Sequence, residues 1–239
     1  MFHQLNFENS IVESDEVIFH ISGGNLIEYN FTKKLSKHKK QLKILHQAIP
    51  SLLFQRKIFV LHGSAFEYRG KAIILMGSSG SGKSESLNII KNENKIISDD
   101  IIAVEFSDNK AICLSGLSAL CIHSEDSIKP LNDMRHRSLE IISNKQMVQN
   151  KLIISDIFFL NWEQENSIEV ISATESLKQI ILNSFRPIPT GNCKDSEKFY
   201  LSSVTKIIDR TEQYTFGRKK GNICNSIEKL NSYLKKKYD

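Results

Sequence analysis

The chain has 239 residues, 40% of them hydrophobic and 25% charged, with a net charge of +5. This is material for one large domain, or a main domain with a small attachment, around an ample core. No run approaches the roughly 18 apolar residues of a membrane span, and MFHQLNFENS has no basic segment leading into an apolar one, so neither a membrane partner nor a secretory signal is expected.

Taken in chain order, Val17–Ile21 and Leu26–Phe31 read as strands, and Ser22-Gly23-Gly24-Asn25 between them reads as a hairpin turn. A lysine-rich stretch then leads to Gln41–Phe54, where Leu42, Ile44, Leu45, Ile49, Leu52 and Leu53 recur at helical spacing. Pro50 interrupts that helix or starts a second one. Ile58–His62 is a strand, Ala65–Tyr68 is extended, and Arg69-Gly70 is a turn. Ala72–Met76 is continuously apolar, as expected of a strand buried on both faces. A helix follows from about Ser84 to Lys91, and then a strand, Lys95–Ser98, ending in Asp99-Asp100. This divides the chain into a small hairpin and helix element over 1–55 and a main α/β domain over 56–239.

Between the apolar strand and the helix lies MGSSGSGKSE, in which Gly77, Gly82, Lys83 and Ser84 satisfy G-x-x-x-x-G-K-[ST]. Strand, glycine loop and helix in that order are the setting of a Walker A phosphate loop. Glycine is needed because the backbone must pass close to phosphate oxygens and turn several N–H groups to one point. Lys83 is then the point charge for terminal phosphates, and the Ser84 hydroxyl a ligand for Mg²⁺. The bland reading is a flexible serine-glycine turn.

Asp99 and Asp100 follow Lys83 by only sixteen and seventeen positions. One short helix and one strand bring them back to the end of the sheet where ligands of α/β folds bind. Neighbouring residues there point in different directions. One carboxylate can therefore reach the Mg²⁺ shell while the other meets an acceptor hydroxyl, the two things phosphoryl transfer needs beside positioning. The alternative is an acidic turn capping a helix that starts at Ile101.

Other readings fall away. A transporter-type ATPase would place its signature after the loop, whereas Ser22-Gly23-Gly24 precedes it and Leu114–Leu117 is only a near miss. A GTPase would want N-K-x-D, and Asn144-Lys145-Gln146-Met147 lacks the aspartate. The basic runs Lys33–Lys43 and Lys235–Lys237 are not interleaved with aromatics, so they read as solvated faces rather than a nucleic-acid surface, and Arg218-Lys219-Lys220 is a further basic segment. Such a field would favour an acidic peptide or protein. Cys113, Cys121, Cys193 and Cys224 show no C-x-x-C or metal spacing and are expected as reduced thiols in a cytoplasmic protein.

His62-Gly63, the run Lys71–Glu85 and KIISDD at Lys95–Asp100 together resemble the HPr kinase/phosphorylase family. They are more similar still to its shorter relatives, the HPr-kinase-like serine kinases, some of which belong to lasso-peptide gene clusters. The resemblance is concentrated in residues 58–102 and continues weakly through Gly116–Ile122, Ile153–Leu160, Ser184–Pro187 and Tyr214–Leu234. It implies an α/β fold like that of PEP carboxykinase, a mixed sheet around a P-loop. It also implies ATP as phosphate donor, Mg²⁺ as cofactor and a serine of a peptide or protein as acceptor, with the oligomeric state open, a homo-oligomer included.

By that resemblance Gly77, Ser78, Ser79, Gly80, Ser81, Gly82, Lys83, Ser84 and Glu85 bind the nucleotide. Ser84 and Asp99 hold the metal, Asp100 is the catalytic base, His62 is the active-site histidine, and Arg186 is a cation for the transferred phosphoryl group. Two departures stand out. Only about 55 residues precede the element carrying His62, and Cys113–Cys121 lacks the E-[IV]-R-G-[LIVM]-G run of the bifunctional enzyme. A kinase without phosphorylase activity is therefore expected. The alternatives are a small-molecule hydroxyl kinase of the P-loop type and a non-catalytic nucleotide-binding sensor.

Overall fold

The computed structural model describes residues 2–116, 119–123, 137–141, 147–148, 150–186 and 193–239, and at 2–5, 119–123 and 137–141 the backbone alone. Parts of the 113–121 and 144–147 segments, and Pro187, therefore lie outside the described residues.

The first four strands form an antiparallel meander in the order β1 (Phe2–Asn6), β2 (Asn9–Ser14), β3 (Val17–Ser22) and β4 (Leu26–Phe31). The β3–β4 hairpin lies where the glycines place it, closed by a hydrogen bond from Asn25 N to Ser22 O. β1 and β2 escape sequence reading because one inward position of β2 is polar: Ser10 is buried and its Oγ lies 2.5 Å from that of Ser51. Val12, Val17, Phe19, Ile21 and Ala48 form the small core of this unit.

Helix α1 (Lys37–Lys43) is capped by the Ser36 hydroxyl, which accepts from Lys39 N. It widens into a π-helical turn over Ile44–Ala48 before α2 (Ile49–Gln55) begins. The cause is Pro50, which has no N–H for the carbonyl four residues back and whose ring crowds it. The ladder accommodates this by an Ile49 N–H bond to Ile44 O. Gln55 ties helix to meander, donating to Ser10 Oγ and Ile21 O (both 2.9 Å) and accepting from Gly24 N at 2.9 Å. Gly24 has φ 64°, and a Cβ there would stand 2.9 Å from Arg56 Cγ, so this junction requires glycine.

The main sheet has seven strands in the order β12-β13-β11-β6-β5-β7-β8: β5 (Phe59–Tyr68), β6 (Lys71–Met76), β7 (Ile96–Ser107), β8 (Lys110–Cys113), β11 (Leu152–Glu163), β12 (Ser167–Val170) and β13 (Glu212–Lys219). β9 (Ala119–His123) and β10 (Arg137–Ile141) form a separate pair. β11 is parallel to β6 and β13, while β5 is antiparallel to both β6 and β7, so the sheet is mixed. β8 also pairs with the start of β11, which closes β11, β6, β5, β7 and β8 into a circuit at that end.

Helices cover both faces. Ala72, Ile74 and Met76 of β6 pack on one side with Phe59, Leu61, Tyr200, Val204 and Ile207, the side of α4 (Ala173–Leu182) and α5 (Lys194–Arg210). Ile73 and Leu75 pack on the other with Leu87 and Ile90 of α3 (Lys83–Ile90) and Ile227, Leu230 and Leu234 of α6 (Ile223–Tyr238). This two-sided burial explains the unbroken apolar run of β6. Burial pushes the Cys113 thiol up to about 12, so it behaves as a small hydrophobe. Among the described residues no helix is long and apolar enough to cross a membrane.

Two basic runs differ from the solvated faces expected of them. Lys43 pairs with Glu16 at 2.7 Å, and Lys40 sits 4.9 Å above the Phe31 ring. At the C-terminus, Lys237 donates to Asp156 of β11 and to Tyr214 OH (2.9 Å), with Glu212 at 3.1 Å. Burial opposes the Lys237 charge, but the bonds to Asp156 and Tyr214 overcome it and hold its pKa above the ordinary lysine range. Asp156 is completely buried and its Oδ2 accepts from the neutral Tyr238 hydroxyl, so removing Lys237 leaves a carboxylate in the sheet without its cation. Lys237→Met is expected to destabilise the protein by about 3 kcal/mol, measured as a lowered urea midpoint at unchanged slope. A midpoint equal to wild type contradicts this.

Candidate functional site

Three strands meet at one end of the sheet in a single row, where Gly63 of β5 lies between Met76 of β6 and Asp100 of β7. The row depends on Gly63 having no side chain, because a Cβ there would lie 2.6 Å from Leu75 O. This close approach also joins two segments that look separate in sequence: Ile58–His62 and Ala65–Tyr68 are one continuous strand, β5. His62 is accordingly mid-strand. The acidic pair also differs from expectation, since β7 runs on through Ser107 and neither carboxylate caps a helix at Ile101. The two carboxylates face different partners, and Asp100 marks a local kink, with φ 66° in otherwise extended backbone.

The loop between β6 and α3 folds back over this row. Gly77, Gly80 and Gly82 have φ of 153°, 78° and 80°, and a Cβ on Gly77 would meet Ser81 Oγ at 2.8 Å and Leu160 O at 2.9 Å. Lys83 opens α3 but turns back to donate to Gly77 O (2.8 Å) and Ser78 O (3.2 Å), so its ammonium lies across the mouth of the loop. Ser84 Oγ donates to Asp99 Oδ1 at 3.4 Å, and Ser64 Oγ donates to the same oxygen at 2.6 Å. Glu85 is exposed on the first turn of α3.

Asp100 faces histidines. His62 Nδ1 lies 3.1 Å from the Asp100 carbonyl oxygen, and His46 Nε2 lies 3.8 Å from Asp100 Oδ2. Surrounding protein atoms desolvate the His62 ring in part. That desolvation, and then the Lys83 charge, lower its pKa against the opposing pull of Asp100, which favours the neutral imidazole at pH 7. His46 is the residue that sequence reading missed. It comes from the π-helical turn of the N-terminal unit, and no motif surrounds it.

The structure therefore brings together Gly77, Ser78, Gly80, Gly82, Lys83, Ser84, Asp99, Asp100 and His62. Arg186 is not among them: the chain at Asn183–Phe185 runs antiparallel to Val60–His62, which carries Arg186 away from the acidic pair, and its guanidinium lies 5.7 Å from the Tyr200 ring centroid. Arg218 also differs from expectation. It is completely buried and cannot contribute to a surface field.

Among the described residues no cluster of three or more His, Cys, Asp and Glu side chains is prepared to hold a metal alone. One hydroxyl and one carboxylate on adjoining elements do fit Mg²⁺, which keeps several waters and is typically completed by substrate phosphates. Fold and site together define an α/β protein with a mixed sheet, a helix N-terminus that offers N–H groups to an anion, a buried lysine, and a carboxylate pair beside it.

Sequence comparison finds a curated relative of the family that the motifs resemble. The chain is 20% identical over 122 residues to an HPr kinase/phosphorylase of Prosthecochloris aestuarii, a match covering 50% of this chain and 34% of that protein. The chain thus spans about a third of the length of the curated relative it matches. Among solved structures it is similar to the Hpr(Ser) kinase/phosphatase from Coxiella burnetii, at 15% identity and a TM-score of 0.42, covering 74% of this chain and 98% of that one. No family model matches the chain.

Proposed function

We propose that this chain is an HPr-kinase-like phosphotransferase, an ATP- and Mg²⁺-dependent kinase that phosphorylates a serine of a peptide or protein and lacks an efficient phosphorylase reaction. The observation that carries this reading is the single row through Met76, Gly63 and Asp100, which sets a carboxylate pair beside the lysine and serine of a glycine loop. Residues 77–85 act as the P-loop of a PEP carboxykinase-like sheet. Residues 1–55 act as a small accessory unit to the kinase domain over 56–239, and the setting is cytoplasmic.

The N–H groups at the start of α3 and the Lys83 ammonium bind the β- and γ-phosphates and neutralise charge that builds up on them. Ser84 and Asp99 would hold Mg²⁺, which supplies charge neutralisation between the phosphates when bound. Asp100, whose carboxylate faces other partners than that of Asp99, accepts the proton of the serine hydroxyl as that oxygen bonds to the γ-phosphorus. The bond from phosphorus to the bridging oxygen breaks, and ADP leaves with the electron pair. His62, kept neutral, orients the Asp100 backbone, and Glu85 borders the nucleotide on the exposed side.

The test offers serine-containing acidic peptides, peptides ending in serine as a precursor C-terminus would, an HPr-like protein and free serine in parallel with ATP-Mg²⁺, read by mass spectrometry. Phosphoserine on a peptide or protein is expected. That product should stay phosphorylated in excess inorganic phosphate, because residues 113–121 lack the bifunctional signature. Phosphate on free serine or another metabolite alone would make the chain a small-molecule kinase. ATP binding with no transfer to any acceptor would make it a sensor.

A further inference from the structure

Among the described residues the largest side chain with no solvent exposure is a charged one, Arg218. It stands on β13 in register with Trp162 of β11, the sole tryptophan of the chain. Its guanidinium lies 4.7 Å from the Trp162 ring centroid and 5.8 Å from that of Phe216, beside two aromatic rings. Nη1 donates to Ser86 Oγ at 2.8 Å, and Ser86 Oγ donates to Gly82 O at 2.7 Å. Nε and Nη2 are buried and make no hydrogen bond among the described residues. Both Nη atoms lie 3.4 Å from where a Cβ on Gly82 would stand, so the cation is directly behind the residue that caps the N-terminus of α3. Trp162 closes the other side, donating Nε1–H to Gly80 O at 3.1 Å.

A buried cation with two idle donors is costly unless an anion answers it. The carboxylate that acts on it is Glu85, exposed on the helix surface and therefore a weak partner. Desolvation lowers the Arg218 pKa to about 10, which still leaves it charged at neutral pH. Stacking on Trp162 recovers only part of the burial cost. An anion that answers it would sit beyond Gly82, by the N-terminus of α3 and the Lys83 ammonium.

We propose that Arg218 is a buried counter-charge for a polyphosphate held by the glycine loop, a positioning residue that strengthens binding through the floor of the loop. This rests on the reading of residues 77–85 as a phosphate loop. The ligand class is set by charge alone, so inorganic pyrophosphate and ATP both qualify. The device works because water is excluded between guanidinium and loop, which leaves their interaction with a bound anion weakly screened. The empty protein carries the burial cost, and the loaded one gains the attraction.

The two halves of the claim have opposite signs, and that makes it testable. Arg218→Met replaces the cation with an apolar chain, and Arg218→Gln retains a donor for Ser86 without the charge. Both are expected to melt at or above the wild-type temperature when empty. Both are expected to bind Mg²⁺-pyrophosphate and Mg²⁺-ATP about tenfold more weakly by calorimetry, which is about 1.4 kcal/mol. A merely structural arginine would give the reverse, a lower melting temperature with unchanged affinity, and that result overturns the inference. So does failure of both variants to fold beside a stable wild type. Wild-type protein that binds neither pyrophosphate nor ATP would overturn the phosphate-loop reading along with it, whereas wild-type binding that both variants share undiminished overturns this inference alone.

Discussion

Asparagine at position 100 is expected to slow phosphoryl transfer by about 10²–10⁴-fold, the usual cost of losing a general base, while leaving ATP affinity close to wild type. The geometry separates the two carboxylates. Asp99 accepts from Ser84 and Ser64, so it is committed to the α3 side of the site. Asp100, at a left-handed backbone position, faces His46 and His62. Asp99→Asn should therefore raise the Mg²⁺ concentration needed for half-maximal rate. Initial rates over a Mg²⁺ series for both variants settle the matter. If the Mg²⁺ requirement moves with Asp100 and the rate loss falls on Asp99, the roles are exchanged.

Lys83→Ala should reduce turnover by at least about 10²-fold and weaken ATP binding as well, because the ammonium neutralises phosphate charge in both ground and transition states. Lys83 is buried and also closes the loop by donating to Gly77 O and Ser78 O. Its loss therefore loosens the loop that must present N–H groups to the phosphates. Calorimetry with ATP, run beside a thermal melt, separates the two effects. Unchanged ATP affinity together with unchanged turnover would remove the P-loop from the mechanism.

The contrast with Arg218 is instructive. Lys83 sits in a recognisable pattern, and its role follows from the requirements of the loop. In sequence Arg218 is only the first of three adjacent cations, and it reads as part of a basic segment facing an acidic substrate. Its burial follows from β13 lying inside the sheet between β11 and β12, a pairing between segments far apart in the chain.

What the residues themselves determined is local: the hairpin at Ser22–Asn25, the doubly buried strand through Ala72–Met76, the glycine loop, and the helix that follows it. Each follows from a backbone constraint within a few residues, whether glycine at positive φ, proline without an N–H, or an apolar run with two faces to cover. Only the tertiary structure decided that β5 and β7 run on past His62 and Asp100, that Gly63 seats the acidic pair beside the loop, that Arg186 points elsewhere, and that His46 reaches Asp100. Those outcomes depend on which distant strands pair and which side chains the pairing buries. The interactions that choose them act between segments with no fixed spacing in the chain, so no local pattern records them.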